Sequence, residues 1–306
     1  MKTLVIGLGM GQLYVRTLTQ LGHEVITVDT DQNKQATFGN LDTALYAHPL
    51  LDAAFICTPN YTHDSIAQKV ATHSRIVFVE KPGVLNAKRW QTLQLTHPQT
   101  RFIMIKNNMW RTWEEEFNIR TAAAEVIHIN WINRDRVPAP GSWFTNKKLS
   151  FGGVSKDLMP HLLSIFISMN PNNYKQFEVN YNVVKQNWRL DQLTSTEYGT
   201  VNLDGVYDVD DWNQITLTSN NKRYTLCADW RSMDKDDRAI HCYQRDQLVR
   251  SFELGLCPES VYADMIQDVF NNINNEEFWN RHKEYDVWIH NVINSPSNEF
   301  KINDGN

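Results

Sequence analysis

The chain has 306 residues, room for about two domains at roughly 150 residues each. It is 42% hydrophobic and carries ten Trp, eleven Tyr and thirteen Phe, which excludes an intrinsically disordered chain. A net charge of −5 argues against a dedicated nucleic-acid binder, and no run approaches the ~20 apolar residues of a membrane span. The start Met1-Lys2-Thr3-Leu4-Val5-Ile6 imitates a signal peptide, but it breaks into Gly7, Gly9 and Gly11 with no small-residue cleavage site. The cysteines Cys57, Cys227, Cys242 and Cys257 show no C-x-x-C spacing and read as reduced packing residues of a cytoplasmic protein.

In chain order, strands are predicted at Lys2–Ile6, Glu24–Val28, Ala53–Cys57, Arg75–Val79 and Arg101–Ile105. They are almost continuously apolar, as strands covered on both faces are. Helices are predicted between them at Gly11–Leu21, Asp42–Ala47, Thr62–Thr72 and Ala87–Leu95. That alternation predicts an α/β, doubly wound parallel sheet over 1–111. The pattern then changes. Glu114–Ala124 reads as a helix, Val126–Arg134 as a strand, and Val154–Met169 as one helix. Alternating runs follow at Phe177–Trp188, Trp212–Thr218, Arg223–Trp230 and His241–Phe252, predicting a mostly antiparallel sheet. Pro258–Asn274 and Glu277–Val292 read as helices, and the polar tail after Ser295 as a mobile end. The second domain, 112–306, is therefore expected to be α+β. The cluster Asp208, Asp210, Asp211 reads as a solvated turn.

Two features point to a dinucleotide. Gly7-Leu8-Gly9-Met10-Gly11-Gln12 follows a strand and opens a helix, whose free N–H groups suit a pyrophosphate. The third fingerprint position, residue 12, is Gln, and Gly11 stands one residue early. Asp29 ends the second strand about 20 residues further on, where a carboxylate receives an adenine-ribose diol. With Asp31 close by and no adjacent Arg, NAD is favoured over NADP.

Three further motifs end predicted elements: Thr58-Pro59-Asn60-Tyr61-Thr62-His63, Glu80-Lys81-Pro82, and Gly152-Gly153-Val154-Ser155-Lys156-Asp157 with His161 beyond it. With the glycine turn, and in this order, they make the chain resemble the glucose–fructose oxidoreductase / inositol dehydrogenase / MocA (Gfo/Idh/MocA) family over nearly its whole length. The resemblance implies a nicotinamide-dependent dehydrogenase acting on a sugar, cyclitol or sugar derivative, assembled as a homodimer or homotetramer. It places Lys81, Asp157 and His161 at the active site. It places Gly7, Gly9, Met10, Gly11, Asp29, Thr58, Pro59, Asn60, His63, Glu80 and Lys81 around the cofactor. Trp143, in the Pro/Gly loop before Gly152, is a candidate sugar-stacking residue, with Phe144 following where relatives often carry Arg. His161 suits a general base because imidazole titrates near neutrality, and Lys81 suits the stabilisation of an alkoxide. Read without the family, Lys81 is a turn residue, Asp157 and His161 an i,i+4 surface pair, and His63 a residue ordering its loop. Pro160 restricts the helix to starting near Asp157 or bending there. A dinucleotide-binding sensor without turnover is the alternative function. No zinc-ligand spacing, P-loop or nucleophile elbow is present, and neither a metal nor a nucleic-acid or membrane partner is expected.

Overall fold

The apolar runs of the first hundred residues form β1 (Lys2–Ile6), β2 (Glu24–Val28), β3 (Leu51–Ile56), β4 (Ser74–Val79) and β5 (Arg101–Met104) in a computed structural model. The structure describes residues 1–193, 199–219, 221–234, 236–296 and 298–301, with the backbone alone at 298–301. The sheet order is β2-β1-β3-β4-β5, and every pairing is parallel. Helices Gly11–Gln20, Leu41–Ala47, His63–Ala71 and Ala87–Thr96 make the crossovers. Asn40 and Asn86 cap two of them, each side chain accepting from first-turn N–H groups. Strand order reverses between β1 and β3, so the crevice beyond their carboxyl ends is the topological switch point. Burial on both faces explains the unbroken apolar runs: Ala53 to Ile56 and Ile76 to Val79 are all fully buried.

The chain divides into two compact units, 1–110 with 258–291, and 111–257 with 292–306. The sequence reading had assigned all of 112–306 to the second domain. Helix Glu259–Asn271 and most of helix Glu276–Ile293 belong instead with the parallel sheet. Their packing explains why. Tyr262 meets the ring of Tyr14 edge-on at 5.8 Å and Phe270 meets Phe78 at 6.0 Å. Asp286 forms a buried ion pair with Lys106 and accepts a hydrogen bond from Met104 N at 3.1 Å.

The second unit carries β6 (Val126–Ile132), β7 (Glu178–Gln186), β8 (Trp212–Ser219), β9 (Lys222–Asp229), β10 (Asp237–Gln244), β11 (Gln247–Glu253) and β12 (Asn298–Lys301). The order is β11-β10-β6-β9-β8-β7-β12, parallel at β6–β9 and β7–β12 and antiparallel elsewhere. Ile127, Ile129, Leu226, Ile215 and Ile240 are fully buried on the face covered by helix Met159–Met169. His128, Asn130, Thr225, Thr216 and His241 alternate with them and are half-buried. The second face is thus polar.

Four local expectations are corrected. The run expected over 154–169 is two helices, Val154–Asp157 and Met159–Met169, because Pro160 has no N–H to continue one helix and sits in the first turn of the next. The run His241–Phe252 is a hairpin, turning at Arg245 and Asp246, both at positive φ (49° and 61°). Within the supposedly mobile tail, Asn298–Lys301 forms an edge strand on β7, whose backbone groups would otherwise lack partners on that side; residues 302–306 lie outside the described residues. Of the acidic cluster expected as a solvated turn, only Asp208 is exposed. Asp211 is fully buried, Asp210 accepts from Gly153 N and Ser155 N, and Asp208 accepts from Lys147 N. The three carboxylates satisfy backbone donors that the loops leave unpaired.

Candidate active site

In the first unit the candidate residues gather at the switch point. Gly7 closes β1 at φ +87°, and its N–H donates to Val28 O at 2.8 Å. A Cβ there would lie 2.8 Å from Cys57 O, so both conformation and space require glycine. Gly9 has open space where a Cβ would be. Met10 is exposed in the turn, and its side chain does not cap the helix that Gly11 begins. A Cβ on Gly11 would meet Val5 Cγ1 at 3.0 Å. Gly11 therefore performs the close helix–strand packing expected of the third fingerprint glycine, while Gln12 is exposed.

Asp29 follows β2 and is half-buried. Its Oδ2 accepts from Leu8 N at 2.6 Å and its Oδ1 from Asp31 N at 2.9 Å. The acid and the glycine turn, 21 residues apart, thus form one structure. These residues fit a dinucleotide: uncapped helix N–H groups, no side chain at Gly9, and a carboxylate fixed beside the turn.

Thr58, Pro59 and Asn60 follow β3, and Pro59 O accepts from Thr62 N at 2.9 Å. His63 is buried, with Nε2 2.8 Å from Thr58 O and Nδ1 2.7 Å from Gly83 O. Its ring ties together the loops beyond β3 and β4, and burial pushes its imidazole below the ordinary value. Glu80 is buried beyond β4, and Lys81, half-buried, precedes Pro82 across a cis peptide bond. Glu80 Oε1 accepts from Tyr14 Oη at 2.6 Å, and Oε2 from Lys81 N at 3.1 Å. Helix Glu276–Ile293 supplies His290, whose Nε2 lies 3.4 Å from Val84 N.

In the second unit, Asp157 ends its short helix and accepts from Trp230 Nε1 at 2.9 Å. His161 lies in the first turn of the next helix, its ring stacked on Trp131 at 5.6 Å. Trp131 belongs to β6 and Trp230 follows β9, its parallel neighbour, so adjacent strand ends support the acid and the imidazole. Asp210 holds the preceding loop through Gly153 N, at 2.9 Å, and Ser155 N, at 2.7 Å. Trp143 lies half-buried in a single turn capped by Ser142 and stacks on Phe144 at 3.9 Å. Sequence reasoning missed Tyr14, Trp230 and Asp210, which act through partners distant in sequence. Among the described residues, no group of three or more His, Cys, Asp or Glu could hold a metal, and no helix is long and apolar enough to cross a membrane.

A parallel sheet with a glycine turn and a fixed carboxylate at its switch point defines a dinucleotide-binding protein. Residues 1–105 match the Gfo/Idh/MocA family model, described as "Oxidoreductase family, NAD-binding Rossmann fold". It is similar to "Putative UDP-kanosamine synthase oxidoreductase subunit" of Amycolatopsis mediterranei, 28% identical over 217 residues, 63% of this chain. That match spans 60% of the relative's length. The fold resembles GenD2 from gentamicin A biosynthesis, in complex with NAD (TM-score 0.70, 17% identity, 95% of this chain and 91% of that one). It also resembles a myo-inositol dehydrogenase from Corynebacterium glutamicum (TM-score 0.69, 13% identity, 96% and 94%). A levoglucosan dehydrogenase complex with NADH and levoglucosan is similar again (TM-score 0.68, 13% identity, 96% of each chain).

Proposed function

We propose that the chain is an NAD-dependent dehydrogenase acting on a secondary alcohol of a sugar, cyclitol or sugar derivative. The hydrogen bond from Leu8 N in the glycine turn to the Asp29 carboxylate carries the reading most directly. It fixes an acceptor for a ribose diol beside the turn, where a 2′-phosphate would meet negative charge, so NAD is favoured over NADP. When bound, nicotinamide supplies the hydride acceptor. In alcohol oxidation, His161 takes the hydroxyl proton, Lys81 stabilises the oxygen as its charge grows, and Asp157 orients the hydroxyl. The named sugar and cyclitol enzymes among the fold relatives support the substrate class.

Calorimetry with NAD and NADP tests the cofactor half. The wild-type protein should prefer NAD, and Asp29→Ala should weaken NAD and narrow the gap. A wild-type preference for NADP would overturn the argument from Asp29. Absorbance of reduced nicotinamide with a panel of sugars and inositols tests the reaction. Lys81→Ala should lower kcat far more than NAD affinity, and His161→Ala should remove the acid limb of the pH profile. NAD binding without turnover on any member would favour a sensor. A homodimer or homotetramer is proposed through the half-buried polar face of the seven-stranded sheet. Sedimentation showing a monomer at micromolar concentration would remove that part.

A further inference from the structure

We infer that Tyr14 is a positioning residue for Lys81, acting through the buried carboxylate of Glu80. This rests on the reading of Lys81 as the charge that stabilises the substrate oxygen. Tyr14 is fully buried on helix Gly11–Gln20, its ring stacked on Phe55 at 5.4 Å and edge-on to Tyr262 at 5.8 Å. A phenylalanine would fill the same space. What the hydroxyl adds is its bond to Glu80 Oε1 at 2.6 Å. Burial, with the charge of Glu80 behind it, pushes the Tyr14 phenol well above its ordinary value, so the group remains a donor at working pH.

Glu80 is 9% exposed. Its second oxygen accepts from Lys81 N at 3.1 Å, and its carbonyl accepts from Gly83 N at 2.9 Å, closing a turn around Lys81. A swinging carboxylate would not hold a backbone N–H. Tyr14 fixes the carboxylate, and the carboxylate fixes the backbone that carries the lysine. The same helix begins at Gly11, packed against β1 beneath the glycine turn. One rigid element thereby sets the place of Lys81 relative to the turn proposed to hold the pyrophosphate. Losing the bond should cost catalysis as well as stability, because hydride transfer tolerates little misplacement of the stabilising charge.

The test uses the full chain with Tyr14→Phe and, independently, Glu80→Gln. Hydrogen exchange at the Lys81 amide, followed by NMR, should quicken about tenfold, the scale of one hydrogen bond to a charged group. NAD affinity should stay near wild type in Tyr14→Phe, and the melting temperature should fall modestly, because the buried Glu80 carboxylate loses a donor. With the sugar and inositol panel, kcat should fall while KM holds. Wild-type exchange at Lys81 in either variant would overturn the inference, as would faster exchange with unchanged kcat. Lys81→Ala separates the two layers. Full activity in that variant defeats the reading of Lys81 and this inference with it. Loss of activity there, beside an unaltered Tyr14→Phe, defeats the role of Tyr14 alone. No turnover by the wild-type protein removes both.

Discussion

The two units hold their candidate residues in different ways. In the first, the glycine turn and Asp29 are set by backbone conformation at the ends of adjacent parallel strands. Gly7 must be glycine for its φ of +87°, and Asp29 reaches Leu8 N across a span of 21 residues. In the second, Asp157 depends on an indole 73 residues away, and its loop on Asp210, 55 and 57 residues from Ser155 and Gly153. A site built from backbone demands leaves a pattern in the sequence. A site built from distant side chains leaves only the residues themselves.

That difference accounts for what could be read beforehand. The five parallel strands were legible because burial on both faces forces continuous apolar runs. The mixed sheet was legible as alternation, but its hairpin at Arg245 and Asp246 was not, since neither residue advertises a positive φ as Asn-Gly would. Gly11 was seen, yet its packing against Val5 appeared only with the helix in place. The last two helices were legible as helices, but nothing local said which sheet they would cover. Asp286 and Lys106 decide it, and they lie 180 residues apart.

Breaking that long-range pair should give the largest effect. Lys106 is 2% exposed and Asp286 fully buried. Lys106→Met would strand a buried carboxylate and should cost about 3–5 kcal/mol in chemical unfolding. A loss below about 1 kcal/mol, the range of an exposed pair, would show that the pair does not anchor the helix.

Gly7→Ala comes next. The left-handed backbone alone costs roughly 1–2 kcal/mol for a side chain, and the contact with Cys57 O adds to it. Thermal unfolding should show the loss without cofactor, and calorimetry should show weakened NAD binding. An unshifted melt would mean that the turn rearranges freely.

In the second unit, burial pushes Asp229 up to about 6 and Asp211 up to about 7, from an ordinary 3.8. From these two groups, the folded chain holds more protons than the unfolded chain between about pH 4 and 7. Their contribution to stability is full below the unfolded value and is lost as pH rises through the folded values. Asp229→Asn keeps an oxygen for Arg231 N, now 2.8 Å away, and removes one titration. Urea midpoints across that window should fall less steeply in the variant, by up to about 1.4 kcal/mol per pH unit. Parallel slopes in variant and wild type would show that Asp229 titrates normally in the fold.

The smallest effect on stability should come from Gly9→Ala, and it sharpens the comparison most. Gly9 has no neighbour within 4 Å of an added Cβ, and its φ is not in the left-handed region. The fold therefore gives no reason for glycine there, and the change in unfolding free energy should stay within about 0.5 kcal/mol. A dinucleotide does give a reason, because its pyrophosphate must approach the backbone at that residue. Calorimetry should show NAD affinity falling while the melt stays put. Gly7 would then be a glycine that the chain itself requires, and Gly9 one that the ligand requires. If alanine at residue 9 left NAD affinity unchanged, the pyrophosphate would have to lie elsewhere, and the role given to the glycine turn would fail while the fold around it stood.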